Sequence, residues 1–286
     1  MNALIARLGR RLLGGYSLAF FVFLYLPIGL IVAYSFNGNP INMMIWDGFS
    51  LDWYRSLLGL STSLSENALY IESTDQLLAA LRTSLVVALS TTAISTLVGT
   101  LTALALARYR FRLRTFYRVL LFMPMLMPDI VLGIALLIFF VGVGMPLGKG
   151  SIIIGHCTFL ISYVFLIVSA RLAGMDTRLE EASADLGASP WTTFRRVTLP
   201  QILPGVIGGA LLAFIISMDD LVITYFIAGV DSTTLPVFIY GMIRRGIKPE
   251  INAIATLLLL ASLLIAAVGL YLRNRKPATS QDDSHG

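Results

Sequence analysis

The sequence predicts an all-α membrane protein with six transmembrane helices, and three observations support this fold class. The 286 residues are 57% hydrophobic and 13% charged, whereas an average soluble domain carries about 25% charged residues. The apolar residues form long continuous runs rather than an alternation of period two, which favours helices over a β-barrel. Lysine and arginine lie at the ends of these runs and form no single patch, so we expect a lipid bilayer as solvent and no nucleic-acid partner.

Six apolar segments are each long enough to cross a hydrocarbon core of about 30 Å as a helix. They cover residues 16–36, 83–107, 117–142, 152–171, 203–230 and 252–272. The first segment follows three arginines, as a signal peptide would, but its apolar run is longer than that of a secretory signal. We therefore divide the chain into an N-terminal end with the first helix (1–36), an outer loop (37–76), a membrane core (77–272) and a polar tail (273–286).

The distribution of the 21 lysines and arginines predicts the orientation of the chain. With the N-terminus inside, 15 of them fall on the inner side and 6 on the outer side. The positive-inside rule therefore places both termini in the cytoplasm. The inner set is Arg7, Arg10, Arg11, Arg108, Arg110, Arg112, Arg114, Arg118, Arg171, Arg178, Arg195, Arg196, Arg273, Arg275 and Lys276, and the outer set is Arg55, Arg82, Lys149, Arg244, Arg245 and Lys248.

The inner connection 172–202 begins with the signals of a short helix. Thr177 and Glu180 have the spacing of a capping box. Gly187 follows the apolar positions of this helix, where a C-terminal cap needs a residue that accepts positive φ. These signals predict a short helix that ends in a glycine hinge.

A second short helix is predicted directly after the hinge. Ser189 is a favourable N-cap, and Pro190 suits the first helical position. We expect Pro200 to end this helix and Pro204 to begin the next membrane span. From this pattern alone, the two helices are either a solvated connector or an element that docks onto a partner.

The same segment carries a signature with fixed spacing. It resembles the E-A-A, G and I-x-L-P signature of ABC-importer permeases of the type I fold, with serine and valine as mild departures. The resemblance implies that this loop is the coupling loop, which inserts into an ATPase subunit and transmits its motion. The implied coupling residues are Glu181, Ala182, Ser183, Asp185, Gly187, Leu199 and Pro200.

The chain itself has no predicted catalytic or nucleotide site. Gly148-Lys149-Gly150 lacks the remaining residues of a phosphate-binding loop, so ATP hydrolysis is expected from a partner. His156 lies within a span and His285 in the tail, so the two histidines cannot form a metal site together. We expect neither a cofactor nor a metal, and we interpret His156 as a residue of a helix contact.

Three carboxylates fall within predicted spans: Asp129 in the third, and Asp219 and Asp220 in the fifth. A charge at the centre of a membrane helix costs about 3 kcal/mol, and the central parts of the spans offer no lysine or arginine as a partner. Such a set would suit a small cationic solute in a pathway. Alternatively, Asp129 caps a helix broken by Pro128, and Asp219 or Asp220 bonds to groups of a neighbouring helix. Side chains adjacent on one helix point about 100° apart, so only one of the pair is expected to face the pathway.

The segments around these carboxylates narrow the resemblance to the spermidine/putrescine permease group, and to the second of its two permease chains. This likeness extends over nearly the whole chain and implies a polyamine cargo. The implied partners are two ATPase subunits, a second permease chain and a periplasmic solute-binding protein, in the bacterial inner membrane. The residues that carry it are M-P-D-I-V (127–131), S-M-D-D-L-V-I-T (217–224), T-L-P-V-F-I-Y (234–240) and K-P-E-I-N-A-I-A-T (248–256).

Three other functions are alternatives to this one. Related permeases of the same fold carry other organic cations or amino acids. A proton-coupled secondary transporter would use the intramembrane carboxylates as relays, but it should show inverted repeats, which the sequence lacks. A membrane-embedded enzyme would need a catalytic set of residues, and none is visible.

Overall fold

The computed structural model describes residues 2–39, 45–60, 68–245 and 250–274, so most of the predicted polar tail and part of the predicted outer loop lie outside the described residues. Within these ranges the chain is helical, with one isolated β-bridge between Asn37 and Phe49. The helices are α1 (Asn2–Tyr34), α2 (Asp52–Leu57), α3 (Ala68–Arg108), α4 (Arg114–Leu126), α5 (Asp129–Gly142), α6 (Lys149–Ala173), α7 (Arg178–Asp185), α8 (Pro190–Thr193), α9 (Leu199–Asp219), α10 (Val222–Ile227), α11 (Leu235–Arg245) and α12 (Glu250–Asn274).

The chain divides into two compact units, and the first comprises residues 1–74 and 242–286. In this unit α1 packs against α12. After α1 the chain folds back on itself around the buried side chain of Trp53, whose indole Nε1 donates to the carbonyl oxygen of Asn37 at 2.7 Å. The hydroxyl oxygens of Ser35 and Tyr54 lie 2.6 Å apart beside it. The start of the predicted outer loop is therefore an ordered turn.

The second unit comprises residues 75–241 and is built around α6. Helices α4, α9 and α10 pack against α6, and its buried apolar side chains form much of the core. Two glycines bring neighbouring backbones close to Val164 of α6. A Cβ at Gly99 of α3 would lie 2.8 Å from the Val164 Cβ, and one at Gly209 of α9 would lie 3.3 Å from its Cγ1. Small residues permit such close helix packing in membranes.

The predicted number of six spans is not confirmed and stays a prediction. Among the described residues, four helices are long and apolar enough to cross a membrane: Arg11–Tyr34, Asp75–Arg108, Lys149–Ala173 and Pro190–Asp219. The pair α4 and α5 provides a fifth candidate if it is counted as one span. Helix α12 (Glu250–Asn274) covers the predicted sixth span, 252–272.

The third predicted span, 117–142, is not one continuous helix. The axes of α4 and α5 form an angle of 107° at a break next to Pro128. Met127, which precedes this proline, is extended with ψ of 141°. A residue before proline is disfavoured in the α region, which explains why the helix ends here.

The fifth predicted span, 203–230, is also broken, and its start is displaced. Helix α9 ends at Asp219, Asp220 is extended, and α10 begins at Val222. At the other end, Pro200 does not terminate a helix and Pro204 lies inside α9, because the chain is helical without interruption from Pro190 to Asp219. A π-helical turn, Phe194–Thr198, directly precedes α9 and its proline. This wider turn accommodates a residue that has no backbone N–H to donate.

Candidate substrate cavity and coupling loop

The two breaks in the spans lie together, since α5 packs against α10. Between them is a cavity of about 340 Å³. The residues that line it include all three intramembrane carboxylates, Asp129, Asp219 and Asp220, but no lysine or arginine. The structure therefore brings together three residues that the sequence singled out in two separate spans.

Asp129 and Asp219 are both exposed, and both lie at helix ends. Asp129 is the first residue of α5, where the helix dipole favours a negative charge, but no side-chain bond caps this helix. Asp219 is the last residue of α9, where the dipole disfavours a negative charge. Within the described residues neither carboxylate has an ion-pair partner. Both are therefore suited to receive a cation.

Asp220 has a different environment, since its side chain is only 8% exposed. Its Oδ2 accepts the backbone N–H of Thr224 at 2.7 Å and the Thr224 hydroxyl at 2.7 Å. The Nε2 of His156 lies 3.2 Å from the same oxygen. The Asp220 carboxylate thus caps the start of α10 and joins it to α6. This agrees with the alternative interpretation of the sequence, in which Asp219 or Asp220 bonds to groups of a neighbouring helix.

The buried side chain of His156 completes this network. Its Nε2 lies 3.0 Å from the Thr224 hydroxyl oxygen, and its Nδ1 lies 2.8 Å from the hydroxyl oxygen of Ser217. A carboxylate only accepts hydrogen bonds, so the Nε2 beside Asp220 carries a proton, and the Ser217 hydroxyl can donate to an unprotonated Nδ1. His156 therefore makes the helix contact predicted for it, between α6 and both sides of the break after α9.

The second candidate region is the coupling loop, residues 176–200. Gly187 has φ of +79°, as predicted from its place after the first short helix. Ser189 caps α8 by accepting the backbone N–H of Thr192 at 3.3 Å, and Pro190 occupies the first turn, also as predicted. The local signals of the sequence therefore position the second coupling helix correctly.

The predicted capping box of α7 is wrong. Thr177 has helical backbone angles, and its side chain makes no capping bond. Glu180 instead forms an ion pair with Arg108 at the end of α3 and accepts a hydrogen bond from the hydroxyl of Thr198. An ion pair and a hydrogen bond from a buried hydroxyl together stabilise the carboxylate more than a single backbone N–H would. Glu180 therefore ties α7 to the end of α3 and to the π-helical turn that precedes α9.

The remaining predicted coupling residues lie on the surface of this loop. Glu181, Ala182 and Asp185 are exposed on α7, and half-buried Ser183 bonds to Thr193 of α8, with the hydroxyl oxygens 3.0 Å apart. Half-buried Leu199 and exposed Pro200 begin α9.

Two large apolar side chains of the loop are also exposed, Leu186 at 88% and Trp191 at 68%. An exposed apolar surface of this kind marks an interaction site, which favours the docking alternative over a solvated connector. Helix α9 connects the two regions directly, since the loop ends in its first turn and Asp219 is its last residue. Its 21 residues span roughly 30 Å.

The comparison with known proteins assigns the family. Residues 95–275 match the model of the binding-protein-dependent transport system inner membrane component. The chain belongs to this family. The permease is 39% identical over 276 residues to the spermidine/putrescine transport system permease protein PotC of Escherichia coli K12, covering 96% of this chain and 99% of that one. It is 38% identical over 262 residues to the putrescine transport system permease protein PotI of the same strain, covering 89% and 88%.

The fold of the permease is also that of solved ABC importers. A bacterial ABC transporter that imports the acidic polysaccharide alginate matches over 95% of this chain and 96% of the other, with a TM-score of 0.65 and 15% identity. An amino acid ABC transporter matches over 75% of this chain with a TM-score of 0.56 and 15% identity. By its family and its curated relatives, the permease is a transport subunit of the inner membrane, and neither a secondary transporter nor a membrane enzyme.

Sequence reasoning missed residues of the His156 network and of the acidic cavity beside it. In the network, Ser217 and Thr224 were not singled out, although both lie within the quoted segment 217–224. In the cavity, Phe159 and Tyr163 of α6 are part of the lining. Both follow His156 at helical spacing, so the face of α6 that carries the buried histidine was the available signal.

The hydroxyl of Thr224 provides the sharpest test of the network. Thr224→Val removes a donor to Asp220 and an acceptor for His156 while keeping the shape of the side chain. We expect a loss of about 1–3 kcal/mol in the stability of the assembled complex, because buried polar groups lose their partners. Thr224→Ser keeps the hydroxyl and should recover most of this loss. Thermal unfolding of the purified complex measures both, and equal unfolding temperatures for the two variants would contradict the role of the hydroxyl.

The hinge of the coupling loop gives a second prediction. Gly187→Val forces a β-branched residue into positive φ, at a cost of about 1 kcal/mol or more. We expect normal membrane insertion but reduced stimulation of ATP hydrolysis by the loaded binding protein. Gly174→Val is the control, because Gly174 caps α6 with φ of −92° and its Cβ would meet no atom closer than 3.8 Å. Equal stimulation in both variants would show that the hinge conformation is unimportant.

Proposed function

We propose that this permease imports a polyamine of the spermidine/putrescine type from the periplasm into the cytoplasm. The observation that carries the proposal is the acidic cavity at the two helix breaks. It is supported by the names of relatives that align over almost the full chain, which are spermidine/putrescine and putrescine permeases. An organic cation other than a polyamine, or an amino acid, is the alternative cargo.

The chemistry of a polyamine matches the lining of the cavity. A polyamine is a flexible chain with protonated amines at intervals, so it needs separate acidic groups along its path. Asp129 and Asp219 provide two carboxylates on different helices, and Asp220 adds negative charge behind them. Attraction between opposite charges is stronger at the low dielectric of a membrane protein than in water. Phe159 and Tyr163 supply aromatic faces to which an ammonium group or a methylene chain can bind.

The proposed assembly contains two ATPase subunits, a second and different permease chain, and a periplasmic solute-binding protein. The exposed Leu186 and Trp191 of the coupling loop supply an apolar contact for an ATPase subunit, and Glu181 and Asp185 supply charges around it. We propose that Glu180 and its bonds to Arg108 and Thr198 carry the motion of the loop into the membrane helices.

The proposed orientation places both termini and the coupling loop in the cytoplasm, and two single cysteines test it. The only native cysteine, Cys157, is buried and serves as background. Val230 is 91% exposed between α10 and α11 on the predicted outer side, and Arg112 is exposed between α3 and α4 on the inner side. In sealed right-side-out vesicles an impermeant maleimide should label Val230→Cys and leave Arg112→Cys unlabelled. The reverse pattern would contradict the orientation.

The cargo is tested by isosteric loss of charge. Asp129→Asn and Asp219→Asn should each lower spermidine uptake per assembled complex by about tenfold, which corresponds to the loss of roughly 1.4 kcal/mol of interaction. The measurement is uptake of labelled spermidine into vesicles, divided by the amount of complete complex recovered from the same vesicles. Dividing by assembled complex separates a pathway role from a structural one.

Asp231→Asn is the matched control for these two variants. Asp231 lies outside the acidic cavity and has φ of +58°, a conformation that asparagine also adopts readily. It should keep normal uptake. Unchanged uptake per complex in both Asp129→Asn and Asp219→Asn would remove the acidic cavity from the cargo pathway. Selective loss of another labelled cation or amino acid would support the alternative cargo.

A further inference from the structure

A second cavity, separate from the acidic one, lies where α3, α4 and α6 meet the start of the coupling loop. It measures about 550 Å³. Three arginines, Arg108, Arg114 and Arg118, lie along one part of its wall, and apolar side chains form much of the rest.

The three arginines carry more positive charge than the carboxylates that line the cavity can neutralise. Glu180 is the only carboxylate among the lining residues, and it pairs with Arg108. Within the described residues, Arg114 and Arg118 have no carboxylate at ion-pair distance. The Nε of Arg114 is inaccessible to solvent and has no hydrogen-bond acceptor. A buried donor without a partner costs about 1–3 kcal/mol, so this end of the cavity is built for an anion that supplies acceptors.

The rest of the cavity identifies the kind of anion. Leu106 of α3, Phe122 of α4, and Phe165 and Leu166 of α6 line it. The rings of Phe122 and Phe165 meet edge to face, with centroids 5.7 Å apart. A free phosphate would leave this apolar wall without a partner. A molecule with an anionic head and a hydrocarbon tail would use both ends.

We propose that this cavity binds an anionic phospholipid of the cytoplasmic leaflet. The phosphate accepts hydrogen bonds from Arg114 and Arg118, and one acyl chain lies along Phe122 and Phe165. Basic pockets between membrane helices on the cytoplasmic side are a recognised type of lipid head-group site. The inference rests on the proposed orientation of the coupling loop, but not on the cargo. Because Arg108 also holds Glu180, the bound phosphate lies beside the guanidinium that anchors the loop.

The test uses the intact importer, extracted in mild detergent from membranes that contain phosphatidylglycerol and phosphatidylethanolamine. Native mass spectrometry then counts the lipids retained by each complex. The wild type should retain phosphatidylglycerol in preference to phosphatidylethanolamine. Arg114→Gln combined with Arg118→Gln should lower the retained phosphatidylglycerol at least threefold. The control combines Arg110→Gln with Arg112→Gln, which removes the same charge from exposed arginines in the connection just before α4 that do not line the cavity.

Three results would overturn the proposal. The first is a wild-type complex with no preference for phosphatidylglycerol. The second is an equal loss in the two double variants, which would indicate general surface attraction. The third is displacement of the retained lipid by millimolar inorganic phosphate, which would indicate a site for a free anion.

A single substitution keeps the test valid if the double variant fails to assemble. The side chain of Arg118 is exposed, so Arg118→Gln should not affect folding, and Arg112→Gln is its control. We expect Arg118→Gln to lower retained phosphatidylglycerol about twofold, and an unchanged amount would count against the site. Retention is measured without transport, so its failure leaves the polyamine proposal intact.

Discussion

The break between α9 and α10 depends on one set of hydrogen bonds around the carboxylate of Asp220. Backbone groups freed by a helix break cannot bond to lipid, and an isolated carboxylate is costly at the same depth. Asp220 meets both demands, since it accepts the backbone N–H and hydroxyl of Thr224 and lies beside the imidazole of His156. His156 in turn reaches Ser217 on the other side of the break. The position of α10 against α6 therefore depends on a buried polar network.

The two adjacent carboxylates, Asp219 and Asp220, have different environments because of this network. Asp220 is committed to the protein, whereas Asp219 ends α9 exposed at the unfavourable end of the helix dipole. The break at Pro128 places Asp129 at the start of α5, where it lines the same cavity. Within the described residues these two carboxylates have no cation as partner, and the proposed cationic cargo would supply the missing charge. Helix α9 joins this space to the coupling loop, so the proposed motion of the loop has one continuous helix as its route to the cavity.

Features that depend on residues close in the chain could be predicted from the sequence. The prediction was wrong where a residue distant in the chain determines the structure. Gly187 and Ser189 follow local rules for helix ends, and both were predicted correctly. Glu180 was assigned to a local cap, but its actual partner Arg108 is 72 residues away in the chain. No proline or glycine marks the end of α9 at Asp219. This helix end is stabilised instead through His156, which lies 64 residues before Asp220 in the chain. The carboxylates themselves were predictable as candidates, since charge within an apolar run is visible in any sequence.

The unequal accessibility of the carboxylates is the central claim, and carboxyl labelling measures it directly. The intact complex would be treated with a water-soluble carbodiimide and an amine nucleophile, with and without excess spermidine, and modified residues identified by peptide mass spectrometry. We predict modification of Asp129 and Asp219, protection of both by spermidine, and little modification of Asp220. Labelling of Asp220 as fast as Asp219, or labelling of Asp129 and Asp219 that spermidine does not slow, would contradict the account.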